Sequence, residues 1–187
     1  MISTTLNAIL SHKEVKEKML EEIAQVFADD LKRPMTYEDY QKLEYCHAVF
    51  DELLRYQALL PIVGRQTIED GAEVGGYHWP KETIVLTNCD RMHKNPKYWG
   101  DDADQFKPER CLKNQMDKID KHAYGPFGGG LRVCPGRHIA KNLVVSLLVN
   151  LLRNYDIEYY EKENQLKTCF VIMNTVTDFK VILRPKK

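Results

Sequence analysis

Half of the chain's ten glycines fall within residues 125–136: Gly125, Gly128, Gly129, Gly130 and Gly136. Glycine at that density marks backbone that turns sharply or is approached closely by something flat or bulky. Phosphate is the first ligand to consider, but the segment holds neither G-x-x-x-x-G-K-[ST] nor a G-x-G-x-x-G after a strand. It offers Arg132, then Cys134, then Pro135-Gly136 opening a strongly apolar stretch that reads as a helix over 137–154. A cysteine just ahead of a helix faces the positive end of the helix dipole and unpaired backbone N–H groups. Arg132 adds positive charge, and all three favour an anionic sulfur. Such a sulfur can attack an electrophile, with His122 or His138 as the candidate base. It can also bind a metal, and with one protein ligand the set must be completed by a group such as haem. A glycine-rich surface turn with an incidental cysteine is the third reading the residue types leave open.

The rest of the composition narrows the class without naming a function. The 187 residues carry 27 Lys+Arg against 27 Asp+Glu, and 43% are hydrophobic. That is too apolar for a disordered chain and suits one domain with a sizeable core. A neutral total gives no electrostatic reason to expect nucleic acid as a partner. No run of 18 apolar residues suggests a transmembrane helix, and the first residues lack the pattern of a signal peptide. The five cysteines (46, 89, 111, 134, 169) are odd in number and contain no C-x-x-C, which argues for free thiols in a reducing compartment.

Apolar spacing predicts a helix over 4–28, a break at Lys32-Arg33-Pro34, and a second helix over 36–56 opened by a Thr36–Asp39 capping box. Small strands are expected over 62–88, with a hairpin turn at Gly75-Gly76. Residues 89–123 read as irregular, and a β-hairpin is expected over 166–184 from strands at about 166–173 and 178–184. Glu52 and Arg55 share one helix face and can pair.

The segment Phe127-Gly128-Gly129-Gly130-Leu131-Arg132-Val133-Cys134-Pro135-Gly136 resembles the haem-binding loop F-x-x-G-x-R-x-C-x-G of the cytochrome P450 family at every fixed position. Glu52-Leu53-Leu54-Arg55 matches that family's E-x-x-R helix, and Phe106-Lys107-Pro108-Glu109-Arg110 its P-E-R segment, in the family's order. The resemblance implies a mainly α fold with small β-sheets, the C-terminal, proximal, haem-binding part of the P450 fold, in one unit over 1–187. It implies haem b as cofactor and Cys134 as axial ligand to the haem iron. Phe127, Gly130 and Gly136 would shape the haem loop, and Arg132 and Arg65 would pair the haem propionates. Glu52, Arg55 and Arg110 would form a buried network holding 89–123, the family's meander, behind the loop. His93 reads as a surface residue, and Leu59–Gly64 and Asn174–Val176 as substrate-contacting or core segments.

The implied reaction is monooxygenation of a small, apolar organic substrate with O2 and electrons from an NADPH-dependent reductase. Arg132, Arg137 and Lys141 are candidates for the reductase-docking face, although a solvated charge is the plainer reading of Lys141. No nucleic acid and no metal besides haem iron are implied. Location is implied on the reducing, cytosolic side, where full-length relatives are anchored to the endoplasmic reticulum.

The sequence departs from the family in length. The segment bearing the membrane anchor and the distal acid–threonine pair is expected to be missing, through truncation, a mispredicted gene or a degenerate copy. Thr4 and Thr5 align past that pair, so no catalytic residue is assigned. An impaired or inactive chain with exposed apolar surface is therefore expected. A peroxide-using or isomerising haem–thiolate enzyme, a non-catalytic fragment and a cysteine hydrolase are the alternatives.

Overall fold

The computed structural model describes residues 1–28, 30–160, 167–170 and 174–186, without the side chains of 167–170 and 175–177. The apolar pattern at the start runs unbroken, but the chain folds it into two helices, α1 (Ile2–Ser11) and α2 (Lys13–Val26). His12 separates them at φ −122° and ψ 87°. Its backbone N–H and its ring Nδ1 both donate to the Ala8 carbonyl, at 3.2 and 2.8 Å, and close the last turn of α1.

The Thr36 capping box opens α3 (Tyr37–Lys42): Asp39 N–H donates to Thr36 Oγ1 and Thr36 N–H to Asp39 Oδ2. Arg33, then the Thr36 amide, hold the Asp39 carboxyl well below the usual carboxylate range. The expected helix over 36–56 is likewise two helices. Buried Leu43, at φ −81° and ψ 58°, separates α3 from α4 (Glu44–Tyr56). No residue at the start of α4 caps it by side chain. Glu22, on α2, does so instead, accepting the N–H groups of Tyr45 (2.6 Å) and Cys46 (2.9 Å). A carboxylate at a helix N-terminus satisfies two orphan donors and faces the favourable end of the dipole.

Four short strands follow: β1 (Ile62–Gln66), β2 (Ala72–Val74), β3 (Tyr77–Trp79) and β4 (Ile84–Asn88). β1 pairs antiparallel with β4, Ile62 opposite Asn88, and β2 with β3. Gly75 and Gly76 take φ of 63° and 80°, as a two-residue hairpin turn with two left-handed positions requires. The stretch 89–123 carries α5 (Cys89–His93), α6 (Pro96–Trp99), a 3-10 turn (Pro108–Cys111) and α7 (Lys113–Met116). After the glycine loop comes α8 (Arg137–Asn154).

The end differs from the expected single hairpin. The strands are β5 (Tyr155–Tyr159), β6 (Lys167–Phe170), β7 (Asn174–Thr177) and β8 (Val181–Pro185). β6 pairs with β7, whereas β8 pairs with β5, Ile157 opposite Leu183. Residues 166 and 171–173 of the expected strand lie outside the described residues. β5 buries Ile157 between exposed Asp156 and Glu158, the alternation of a half-buried strand.

The described residues thus form a mainly α fold with four two-stranded antiparallel sheets. Its core joins Ile9, Met19, Ile23, Phe50, Leu53, Val145, Leu148 and Leu152, from α1, α2, α4 and α8. Burying a large aliphatic side chain of this kind contributes about 2 kcal/mol. On the other face of α8, Ile139, Leu143 and Leu147 are 72%, 62% and 37% exposed. This places α4 in the centre, with the glycine loop running into α8 beside it.

Candidate functional site

Glu52 and Arg55 lie one turn apart on α4 with no exposed side-chain surface. Arg55 Nε donates to Glu52 Oε2 (2.7 Å) and Nη2 to Glu52 Oε1 (2.8 Å). Nη2 also donates to the Gln105 carbonyl (2.8 Å), and Nη1 to the carbonyls of His93 (2.8 Å) and Ala103 (2.6 Å). All five guanidinium donors are therefore matched, which makes burial of this charge tolerable. Glu52 Oε1 also accepts the Lys107 N–H (2.8 Å) and lies 3.8 Å from Arg110 Nε. Arg110 donates to the carbonyls of Trp99 (3.0 Å) and Asp102 (2.6 Å). Two guanidinium groups thus grip the backbone of 93–105 by its carbonyls, and that is why a segment with little regular structure holds one shape.

The start of the glycine loop and α8 are tied in turn to α4. Tyr124 OH donates to the Asp51 carbonyl (2.9 Å), and Lys141 Nζ sits 2.6 Å from Asp51 Oδ2. Lys141 is therefore a paired, half-buried strut between α8 and α4, rather than a solvated charge. Within the loop, Gly128 N–H donates to Gly125 O (3.0 Å) and Cys134 N–H to Phe127 O (2.9 Å). Gly128 and Gly130 adopt φ of 74° and 63°, left-handed values that glycine tolerates best. A Cβ on Gly128 would stand 3.6 Å from Arg65 Nη2. Cys134 precedes Gly136, the N-cap of α8, by two residues.

A cavity of about 320 Å³ opens at the sulfur. Cys134, Phe127, Arg65 and Arg132 line it, with Leu54, Leu59, Leu60 and Val63 as its apolar wall and Met1, Pro126 and Gly128 completing it. Of the residues singled out in the loop, Gly130 and Gly136 do not line the cavity; one shapes a 3-10 turn and the other caps α8. Asn174 docks on the cavity-lining segment, its amide donating to Leu59 O (2.9 Å) and its side chain to Ala58 O (2.8 Å). The side chains of Thr175 and Val176 lie outside the described residues. Thr4 and Thr5 are buried in α1 and are not part of the lining.

The other described cysteine side chains are chemically quiet. Cys46, Cys89 and Cys111 are buried, and burial pushes each thiol up, reinforced by Glu22 at Cys46 and by Glu52 at Cys111. Cys134 alone of the four is not buried. Neither candidate base is hydrogen-bonded to it among the described residues: His122 is exposed, pairs with Asp120 and lines a neighbouring cavity that shares Val63, Arg65 and Gly128 with this one, and His138 is exposed beside Arg137. Among the described residues no group of three or more His, Cys, Asp or Glu could hold a metal ion. An ion at Cys134 therefore needs a group that brings its own ligands. His93 departs from the sequence reading: it is fully buried, and its Nε2 accepts the Gly125 N–H at 3.1 Å.

The family model for cytochrome P450 matches residues 1–182. The chain belongs to the cytochrome P450 family. Among curated P450s, it is 33% identical over 159 residues to the tabersonine/lochnericine 19-hydroxylase of Catharanthus roseus, covering 84% of this chain and 31% of that protein. It is 34% identical over 159 residues to cytochrome P450 3A13 of Mus musculus, covering 84% and 30%. It is 35% identical over 162 residues to cytochrome P450 3A28 of Bos taurus, covering 83% and 31%. The chain thus spans less than a third of the length of each of these P450s. The family implies a haem, and the cavity suits one chemically: an apolar wall for a porphyrin face, two arginines for its carboxylates and one sulfur for its iron.

Proposed function

We propose that this chain forms the proximal site of a haem–thiolate oxidoreductase that monooxygenates small, apolar organic substrates with O2 and electrons from an NADPH-dependent reductase. The observation that carries this reading is the placing of Cys134, Phe127, Arg65 and Arg132 around one largely apolar cavity. Cys134 would ligate the iron of haem b, with Arg65 and Arg132 pairing its propionates and Phe127 packing beside the sulfur. Bound there, haem supplies an iron centre for oxygen activation, and a thiolate ligand favours O–O cleavage. The Glu52–Arg55–Arg110 network would keep the loop in register, and the apolar wall from Leu54 to Val63 would exclude water and receive a greasy substrate. Exposed Arg132 and Arg137 would offer positive charge to a reductase. Free thiols at the four described cysteines suit the reducing, cytosolic side. No helix of the described residues is long and apolar enough to cross a membrane.

A second reading keeps the haem and drops the reductase. None of the described residues lining the cavity carries a carboxylate or a hydroxyl, so none of them would relay a proton there. We therefore expect the 187 residues alone to be impaired in reductase-driven oxygenation, while peroxide, which brings its own protons and oxidising equivalents, bypasses the need. Purified chain loaded with haem should show little NADPH-dependent hydroxylation with a reductase and measurable oxidation with peroxide. Efficient reductase-driven turnover would overturn the expected impairment, and no oxidation by either route would leave a non-catalytic haem-binding fragment.

A further inference from the structure

We propose that His93 is a positioning residue for the Cys134 loop, a neutral imidazole whose Nε2 fixes the Gly125 amide and so links the Arg55 network to the segment bearing the sulfur. The inference rests on the proposed haem–thiolate reading for its consequence and on hydrogen bonds alone for its geometry.

His93 ends α5 with no exposed surface. His93 accepts two hydrogen bonds, one at its carbonyl and one at its ring. Its carbonyl accepts from Arg55 Nη1 at 2.8 Å, and its ring Nε2 accepts from Gly125 N–H at 3.1 Å. An imidazole accepting at Nε2 carries its proton on Nδ1. The Gly125 contact and the Tyr124 ring 5.5 Å away hold its orientation. Burial, and then the charge of Arg55, disfavour the imidazolium, which would have no acceptor to offer Gly125.

Gly125 is the first fixed point of the loop. Its amide is held by His93, and its carbonyl accepts the Gly128 N–H. Phe127, inside that turn, accepts the Cys134 N–H. Three successive bonds therefore run from the His93 ring to the backbone of Cys134. Glu52, Arg55 and Arg110 grip the meander, and the His93 side chain carries that grip across to the loop by a hydrogen bond.

Amide exchange at Gly125, followed by NMR in wild type, His93→Gln and His93→Leu, tests this. Gln places an amide oxygen near the Nε2 position and should keep Gly125 exchange within about threefold of wild type. Leu should accelerate it about tenfold, the factor carried by one hydrogen bond of ordinary net strength, with interior amides of α8 such as Leu148 unchanged. Equal protection in all three proteins, or equal acceleration in both variants, would overturn the proposal. Should His93→Leu not fold, the 15N spectrum of the wild-type imidazole decides: a protonated Nδ1 with a bare Nε2 supports it, and a protonated Nε2 overturns it. Haem added to the same samples gives the second readout, in which the fraction of thiolate-type carbon monoxide complex falls in His93→Leu and is restored in His93→Gln. If wild type shows no such complex, the haem reading fails, while the exchange data still judge His93.

Discussion

Arg55 and Glu52 form a doubly hydrogen-bonded ion pair with no exposed atoms, and Arg55 turns its other three N–H groups onto the backbone of the meander. A charge pair in such a place is costly to desolvate and far more costly to halve. Arg55→Ala or Glu52→Ala should destabilise the chain by about 3–5 kcal/mol, read as a shift of the urea midpoint. Arg55→Lys should rescue little, because three ammonium donors cannot reproduce a planar five-donor fork. Near-wild-type midpoints for either alanine variant would show that the network contributes nothing to the fold.

His93 predicts an acid limb in stability. Burial, then Arg55, push its imidazole from 6.5 down to about 4, with Lys94 acting in the same direction and Asp90 and the Leu54 backbone opposing. Above pH 6.5 the ring is neutral both folded and unfolded. As pH falls below 6.5 the unfolded chain takes up a proton that the folded chain refuses, so stability drops, and the drop ends below about 4. Its full size is on the order of 3 kcal/mol. Urea midpoints between pH 7.5 and 4 should fall along this limb in wild type and less steeply in His93→Gln. Parallel profiles would assign the limb to other groups.

Two neighbouring glycines should respond differently. Gly128 has φ of 74°, so Gly128→Ala should cost about 1–2 kcal/mol from the left-handed backbone alone, the added Cβ making only ordinary contact with Arg65 at 3.6 Å. Gly129 has ordinary φ and nothing within 4 Å of an added Cβ, so Gly129→Ala should lie within about 0.5 kcal/mol of wild type. Thermal melts of the two variants side by side settle the contrast.

The cap supplied by Glu22 is a tertiary contact doing a local job. Glu22→Ala should cost about 1–2 kcal/mol, as two amides at the start of α4 lose their acceptors. Amide exchange should report the loss first at Tyr45 and Cys46, which are the donors. Uniform acceleration along α4 would instead mean that the helix loosens as a whole.

The exposed stripe of Ile139, Leu143 and Leu147 should limit solubility. Ile139→Lys with Leu143→Glu should raise the soluble fraction and leave the melting temperature within a few degrees, because neither side chain is buried in the core. A large fall in melting temperature would place these residues in packing that the fold does not show.

Much of this architecture was legible in the residues. The glycine loop with Cys134, the Glu52/Arg55 spacing and the Thr36–Asp39 capping box are local patterns whose physics acts over ten residues or fewer. The breaks at His12 and Leu43 were not legible, because apolar spacing continues across both and the backbone turns only where tertiary packing demands it. β5 was hidden for a related reason: Tyr155–Tyr159 follows an apolar helix directly, and its alternation gains meaning only opposite β8. His93 reads as a surface residue in sequence because its acceptor role depends on Gly125, 32 residues further on, being folded against it. Lys141 reads as solvated for the same reason, since its partner Asp51 sits on another helix.

The central claim is that Cys134 binds haem iron as a thiolate in this chain. The most direct measurement is an absorption spectrum of the chain purified with added haem, reduced and exposed to carbon monoxide, beside a Cys134→Ala control. A strongly red-shifted Soret band in wild type that disappears in the control is the expected result. A wild-type spectrum without that band, or one shared by both proteins, would contradict the claim and leave the loop as a preserved motif without the site.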